Sequence, residues 1–175
     1  YYRNMRPVNK KGARILGNLG VPVLEPLSPA KAQEQVNAGA VFVDVRDTSS
    51  YLAAHIEGSY GIPLVTPLIV WAGWVIPFGA KIVLIANHPA ERVEATRQLV
   101  RIGYDDIAGY LDGGVEAWQS NGLPVTSTKH ISANQLKDWL SQNDSPNVLD
   151  VRFNREWHTG HIQGAKHIEA GSLPE

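Results

Sequence analysis

Three apolar, β-branched or aromatic runs stand out along the chain: "AVFVDV" (40–45), "KIVLIAN" (81–87) and "IAGYLDGG" (107–114). The first two read as buried strands and the third as a strand leading into a turn. Between them the period changes from 2 to 3.6. Ser28-Pro29 supplies a hydroxyl cap and a first-turn proline for a helix that runs to about Gly39. "DTSSYLAAH" fits a short capped helix. "PAERVEATRQLVRIG" (89–103) predicts an amphipathic helix with Pro89 early, Val93, Leu99, Val100 and Ile102 inward, and Gly103 as its stop. "VEAWQSNG" (115–122) predicts a closing helix. Strands alternating with helices call for a parallel sheet covered on both faces, a three-layer α/β/α arrangement.

One stretch departs from this pattern. From Gly58 to Ala80 there is no charged residue, a length that suits a membrane span. Pro63, Pro67 and Pro77, with Gly73 and Gly79, interrupt any continuous helix there. The stretch therefore predicts a buried strand–loop–helix–loop segment, and no membrane partner is expected. Its aromatic part, "WAGWVIPFG" (71–79), reads as core packing beneath a loop, with pocket lining as the alternative.

The patterning also repeats. "DVRDTSSYLAAHIEGSYGI" (44–62) aligns without a gap on "DVRFNREWHTGHIQGAKHI" (150–168), identical at seven of nineteen positions at an offset of 106 residues. Asp44, Arg46, His55 and Gly58 correspond to Asp150, Arg152, His161 and Gly164. Upstream, "LSPAKAQEQV" parallels "ISANQLKDWL", where Ser132 and Gln135 have capping-box spacing. The expected organisation is a linker or tail of a preceding domain (1–27), one whole unit (28–125) and a partial second unit (130–175). The second copy reaches Glu175 before its own version of the 81–94 strand and turn. A half-unit cannot readily bury its sheet alone, so it should dock on the first copy, pair with another chain as a homo-oligomer, or belong to a longer protein.

Composition narrows the chemistry. A formal net charge of −1, with 43% apolar and 19% charged residues, is globular composition and gives no general attraction for nucleic acid or anionic lipid. The chain has no cysteine, which excludes disulfides, thiolate metal sites and cysteine nucleophiles within it. No secretory signal is visible and the chain begins at Tyr1, so a cytoplasmic fragment of a longer polypeptide is expected. Arg3, Arg6, Lys10, Lys11 and Arg14 form a basic run without an acid among them. It reads as a linker over a neighbouring domain, with an anionic partner surface as the alternative.

Candidate chemistry lies in three places. The D-V-R triplets (Asp44, Arg46; Asp150, Arg152) put an acid and a base on one face of a strand end, where pairing ties the strand to the following helix; substrate contact is the alternative. The histidines of A-H-I-x-G and G-H-I-x-G (His55, His161) are expected to bond backbone at a turn. His158 and His161 lack the spacing and the carboxylates of a metal shell. Third is the turn Ala86, Asn87, His88, Pro89, Ala90, Glu91, Arg92. A strand-to-helix turn aims backbone N–H groups at one spot and can cradle an anion or thiolate. Here Pro89 removes a donor, Glu91 competes with a bound anion, Arg92 is the one compensating cation, and His88 the one proton-transfer group. The turn reads as degenerate and structurally capped, with no catalytic residue.

These residues resemble a known family. D-V-R…A-H-I-E-G-S-Y-G-I-P (44–63), K-I-V-L-I with its turn, and L-V-R-I-G-Y-D-D-I-A-G-Y-L-D-G-G-V-E-A-W-Q-S-N-G-L-P-V (99–125) are similar to the rhodanese-homology domain. The G-G-x-x-A-W-x-x-x-G-x-P-V ending (Gly113, Gly114, Ala117, Trp118, Gly122, Pro124, Val125) is its most specific part. In the second copy Glu156 and Gly160 match the family pattern where the first has Ser50 and Ala54. The resemblance implies a rhodanese-like three-layer fold with an incomplete second copy. It also implies a sulfane-sulfur cysteine in a C-x-x-x-x-R loop. That cysteine falls at Ala86, and the closing arginine at Glu91, or at Arg92 in a loop one residue longer. The fold is implied; sulfur transfer by this copy is not.

Residues 1–22 and 71–86 further resemble fusion proteins in which a metallo-β-lactamase-fold domain precedes one or two rhodanese domains, similar to persulfide dioxygenases. That resemblance implies iron or zinc in the preceding domain only and no cofactor in this chain. The partner would be that domain or a persulfide carrier. The function it implies is a catalytically inactive structural, docking or regulatory module. The alternative is a thiosulfate or persulfide sulfurtransferase whose cysteine loop lies in the second repeat beyond this chain.

Overall fold

The computed structural model describes residues 21–142 and 146–173, together with Pro7 and Lys10. Arg3, Arg6, Lys11 and Arg14 of the basic run lie outside the described residues. The chain divides into two compact units, 1–129 and 130–175.

In the first unit the strands are β1 (Pro26–Leu27), β2 (Val41–Asp44), β3 (Tyr60–Gly61), β4 (Ile82–Ile85) and β5 (Ile107–Leu111). They form one sheet in the order β1-β5-β4-β2-β3, with every pairing parallel. The helices are α1 (Pro29–Asn37), α2 (Thr48–Ala53), α3 (Leu68–Val75), α4 (Pro89–Arg101) and α5 (Gly114–Ser120). Strands β1 and β3 are two-residue edges that no apolar run announces; they exist because β5 and β2 offer them backbone partners.

Strand β4 is central and wholly buried, and its register pairs Val41 with Ile82 and Asp44 with Ile85. Alternation along β2 and β4 splits the core between the two faces of the sheet. Val43, Val45, Ile82 and Leu84 meet Leu68, Ala72 and Ile76 near α3 and Ala95 and Leu99 of α4. Phe42, Val83 and Ile85 meet Ala32 of α1 and Val115 and Trp118 of α5. This is the expected three-layer arrangement.

Local chemistry sets the boundaries. Ser28 caps α1 by accepting from Lys31 N–H, with Pro29 in the first turn. Asp47 caps α2, accepting from Ser50 N–H at 3.0 Å. Bonds from the Ser49 and Ser50 hydroxyls hold the Asp47 carboxyl far below the usual carboxylate range. Gly113 begins α5 in the left-handed conformation at φ +70°, and a Cβ there would lie 2.6 Å from Ala117 Cβ. The Trp118 ring meets Phe42 edge-on at 5.2 Å, and its indole N–H donates to Pro124 O at 3.0 Å. The G-G-x-x-A-W…P-V ending thus locks the last helix onto the sheet.

Two expectations of side-chain placement need correction. Val93 is not inward: it is 51% exposed, and α4 buries Ala95, Thr96 and Leu99 instead. Ala95, Thr96 and Leu99 mark the face that α4 buries, and Val93 lies off it. The aromatic stretch 71–79 is only partly core. Ala72, Gly73 and Ile76 are buried, whereas Trp74 and Phe78 are 40% and 41% exposed. Among the described residues no helix is long and apolar enough to cross a membrane.

The second unit contains α6 (Ala133–Leu140), β6 (Leu149–Asp150), α7 (Asn154–Thr159), β7 (Lys166–His167) and a 3₁₀ turn (Ala170–Ser172). Ser132 and Gln135 form the expected capping box on α6. Strands β6 and β7 pair in parallel, Leu149 with Lys166 and Asp150 with His167. That register equals the pairing of Val43 with Tyr60 and Asp44 with Gly61 in the first unit.

Gly109 sits at φ +152°, and a Cβ there would lie 2.4 Å from Glu25 O, the acceptor of Tyr110 N–H at 3.0 Å. Gly109→Ala is expected to loosen β1 and cost about 1–3 kcal/mol. Urea unfolding, with faster amide exchange at Tyr110 and Asp112, checks this.

Candidate functional site

Ala86 follows directly on β4. It is 6% exposed and belongs to the same apolar cluster as Val43, Leu84 and Leu99. The position that could carry a reactive group at the mouth of the sheet is therefore filled by a core methyl. Asn87, His88, Pro89 and Ala90 are exposed as the chain turns into α4.

Backbone donors do converge here, as a strand-to-helix turn requires, but the chain itself satisfies them. One carboxylate oxygen of Glu91, Oε2, accepts from Asn87 N–H at 2.9 Å and from His88 N–H at 3.1 Å. A side-chain anion thus sits where an external anion would be held, and it also favours the positive end of the α4 dipole. Arg92 does not offset it. Its guanidinium lies over the Tyr110 ring, 4.0 Å from the centroid, which ties α4 to β5. Tyr110 was not among the sequence candidates. Only the sheet order, with β5 beside β4, brings it to this place.

The Asp and Arg of each D-V-R triplet pair with one another in both units. The Asp44 carboxylate is fully buried and accepts from Arg46 Nε at 3.0 Å, Arg46 Nη2 at 2.7 Å and Arg46 N–H at 3.1 Å. Arg46 Nη2 also donates to Ala54 O at 2.7 Å, tying the strand to the end of α2. His55 bonds Tyr51 O through Nδ1 at 2.8 Å and stacks on the Tyr51 ring at 4.1 Å. The second unit repeats these contacts with Arg152 exposed and Asp150 partly buried. Arg152 Nη2 reaches Asp150 at 2.5 Å and Gly160 O at 3.0 Å, and His161 Nδ1 bonds Trp157 O at 3.1 Å. His161 stacks on Trp157 at 3.5 Å, and His167 also stacks on it, at 4.7 Å. His158 bonds Asn154 O instead of joining His161. Among the described residues no three His, Asp or Glu side chains are grouped to hold a metal ion.

Identical pairs in different surroundings give different consequences. Removing one partner of a buried pair strands the other charge, so Asp44→Asn is expected to cost about 3–5 kcal/mol. Asp150→Asn should cost far less, because water solvates the exposed Arg152. Denaturant titration of both variants checks this contrast. Arg152 holds the Asp150 carboxyl down at about 2, while Asp150 raises Arg152 in turn. A folded-state value below the unfolded one, about 3.9, contributes stability that is full above the unfolded value and is lost as pH falls through about 2. NMR titration of the Asp150 carboxyl should show the low midpoint, and Arg152→Gln should return it towards that of an ordinary aspartate. At the turn, Glu91→Ala is expected to cost about 1 kcal/mol and to speed amide exchange at Asn87 and His88.

Comparison with known proteins agrees with the fold. The family model described as "Rhodanese-like domain" matches residues 28–121 and 132–175. The thiosulfate sulfurtransferase GlpE of Pseudomonas paraeruginosa is 33% identical over 104 residues, spanning 58% of this chain and 90% of that protein. The GlpE of Pseudomonas fluorescens is 33% identical over 96 residues, spanning 54% of this chain and 84% of that protein. Among solved structures, the Alr3790 protein from Anabaena sp. superposes with a TM-score of 0.52 at 21% identity, covering 65% of this chain and 90% of that one. The BH2092 protein from Bacillus halodurans gives 0.50 at 22% identity, covering 66% and 89%. These two likenesses concern the fold alone. With the family matched along both stretches of the repeat, and over most of the residues, the chain belongs to the rhodanese-like domain family.

Proposed function

We propose that this chain is a catalytically inactive rhodanese-like module of a larger sulfur- or persulfide-handling protein, with a structural, docking or regulatory role. One observation carries the reading. The turn after β4 has a buried methyl at Ala86 where the family's thiol would stand, and its N–H donors at Asn87 and His88 are taken by Glu91. Without a thiolate there is no nucleophile to accept a sulfane sulfur. With Glu91 in place, a thiosulfate or persulfide anion meets a negative charge where it needs donors. The neighbour in this reading is a metallo-β-lactamase-fold domain holding its own iron or zinc, or a persulfide carrier.

A second reading, sulfur transfer by a cysteine loop completing the second repeat, draws on the relatives named thiosulfate sulfurtransferase. A cysteine encoded soon after Glu175, behind an apolar strand, would favour it.

The chain is expected to show no thiosulfate:cyanide sulfur transfer above background, and no mass increase of one sulfur atom after persulfide exposure. Turnover by the unaltered chain would sink the inactive-module reading. The double substitution Ala86→Cys with Glu91→Ala is expected to acquire the one-sulfur adduct, and Ala86→Cys alone much less of it. Intact-protein mass spectrometry separates the three proteins.

A further inference from the structure

The chain contains a single Asn-Gly pair, Asn121-Gly122. It lies in the exposed turn that ends α5. An asparagine followed by glycine is the dipeptide best suited to cyclise. Glycine has no side chain to shield its amide nitrogen, and a five-membered ring closes from that nitrogen onto the asparagine side-chain carbonyl carbon.

The fold holds the two reacting groups apart. Asn121 Nδ2 donates to Ala117 O at 2.8 Å, which lays the side-chain amide back along the helix. Asn121 N–H reaches the same carbonyl at 3.1 Å. Gly122 N–H donates to Gln119 O at 2.9 Å and Leu123 N–H to Trp118 O at 3.3 Å, the paired bonds of a helix that stops at a left-handed glycine. Gly122 has φ +76°, as that stop requires. Asn121 has ψ +12°, so Gly122 N nearly eclipses the backbone nitrogen of Asn121. Ring closure needs it to eclipse Cβ instead. The peptide must therefore rotate, and the rotation breaks the bond to Gln119 O.

We propose that Asn121-Gly122 is a latched deamidation site, unreactive while the end of α5 is closed and converted to aspartate and isoaspartate when that turn opens. In the step, the Gly122 amide nitrogen loses its proton to solvent and attacks Asn121 Cγ. The new C–N bond closes a succinimide, the Cγ–Nδ2 bond breaks, and ammonia leaves after taking a proton from solvent. Water then adds to one ring carbonyl or the other, giving an aspartyl or an isoaspartyl linkage. Conversion is one-way because the product cannot re-form the latch. A carboxylate has no donor for Ala117 O, and it sits at the negative end of α5. An isoaspartyl linkage also adds a main-chain carbon between Trp118 and Pro124, whose carbonyl accepts the Trp118 indole N–H at 3.0 Å. The altered turn thus strains the residue that locks α5 against Phe42. The proposal does not depend on whether the turn after β4 is inactive.

The test holds the full chain in mildly alkaline buffer, with and without urea, beside a peptide of the sequence 115–125. Peptide mapping by mass spectrometry reads conversion at position 121, and isoaspartyl methyltransferase labelling reads the linkage. Each of the two latch bonds contributes several-fold, so the folded chain is expected to convert about thirty-fold more slowly than the peptide. In urea the chain should match the peptide. The double substitution Gln119→Gly with Ser120→Gly weakens the exposed last turn of α5 and should speed conversion of the folded chain about five-fold, with the rate in urea unchanged. The aged chain should lose amide protection at Leu123 in proportion to conversion. Conversion of the folded chain at the rate of the peptide would overturn the latch, and so would a double variant no faster than the unaltered chain. Absence of conversion at position 121 in urea would overturn the site itself.

Discussion

Strand β4 lies between β2 and β5 with all four side chains buried, and its backbone closes the ladder that runs through Val45 N–H to Ile85 O. Most of the first unit depends on that insertion. It sets the two faces of the sheet, it places α4 over Val43 and Leu84, and it delivers Ala86 and the turn to the carboxyl end of the strands. A parallel sheet is stable only with both faces covered. In the second unit β6 and β7 repeat the pairing of β2 with β3 in the same register.

The turn after β4 has the architecture of a reactive site and the chemistry of a cap. A parallel strand feeding a helix must present backbone donors at its carboxyl end, whatever residues occupy the loop. Glu91 satisfies two of them, Arg92 is drawn away onto Tyr110, and Ala86 completes the core. The Asp44–Arg46 pair has a different task. A buried carboxylate needs a partner to be tolerated at all, and the bond from Arg46 to Ala54 O uses that need to hold the end of α2.

Much of this was legible beforehand because it is local. The caps at Ser28, Asp47 and Ser132, the burial of 82–85 and the turn that ends 107–114 follow from residue type and immediate neighbours. The D-V-R pairing was legible because the two side chains are two residues apart on one strand. Three features were not. Val93 is apolar but lies off the face of α4 that Ala95, Thr96 and Leu99 bury. Trp74 and Phe78 fall in an uncharged stretch, yet the α3 segment is covered on one side only. Tyr110 meets Arg92 because β5 neighbours β4, a fact of strand order that no spacing encodes.

The sequence by itself determined the alternation of strands and helices, the repeat, the absence of any thiol and the resemblance that placed Ala86 at the critical turn. These are properties of composition, period and short-range spacing, and they survive without coordinates. Only the tertiary structure decided where the charges of that turn go, and that one D-V-R pair is buried whole while the arginine of its twin is exposed. It also decided that β6 pairs with β7 in the register of β2 with β3. Burial and strand pairing depend on elements distant in the chain, so identical local sequences acquired opposite environments.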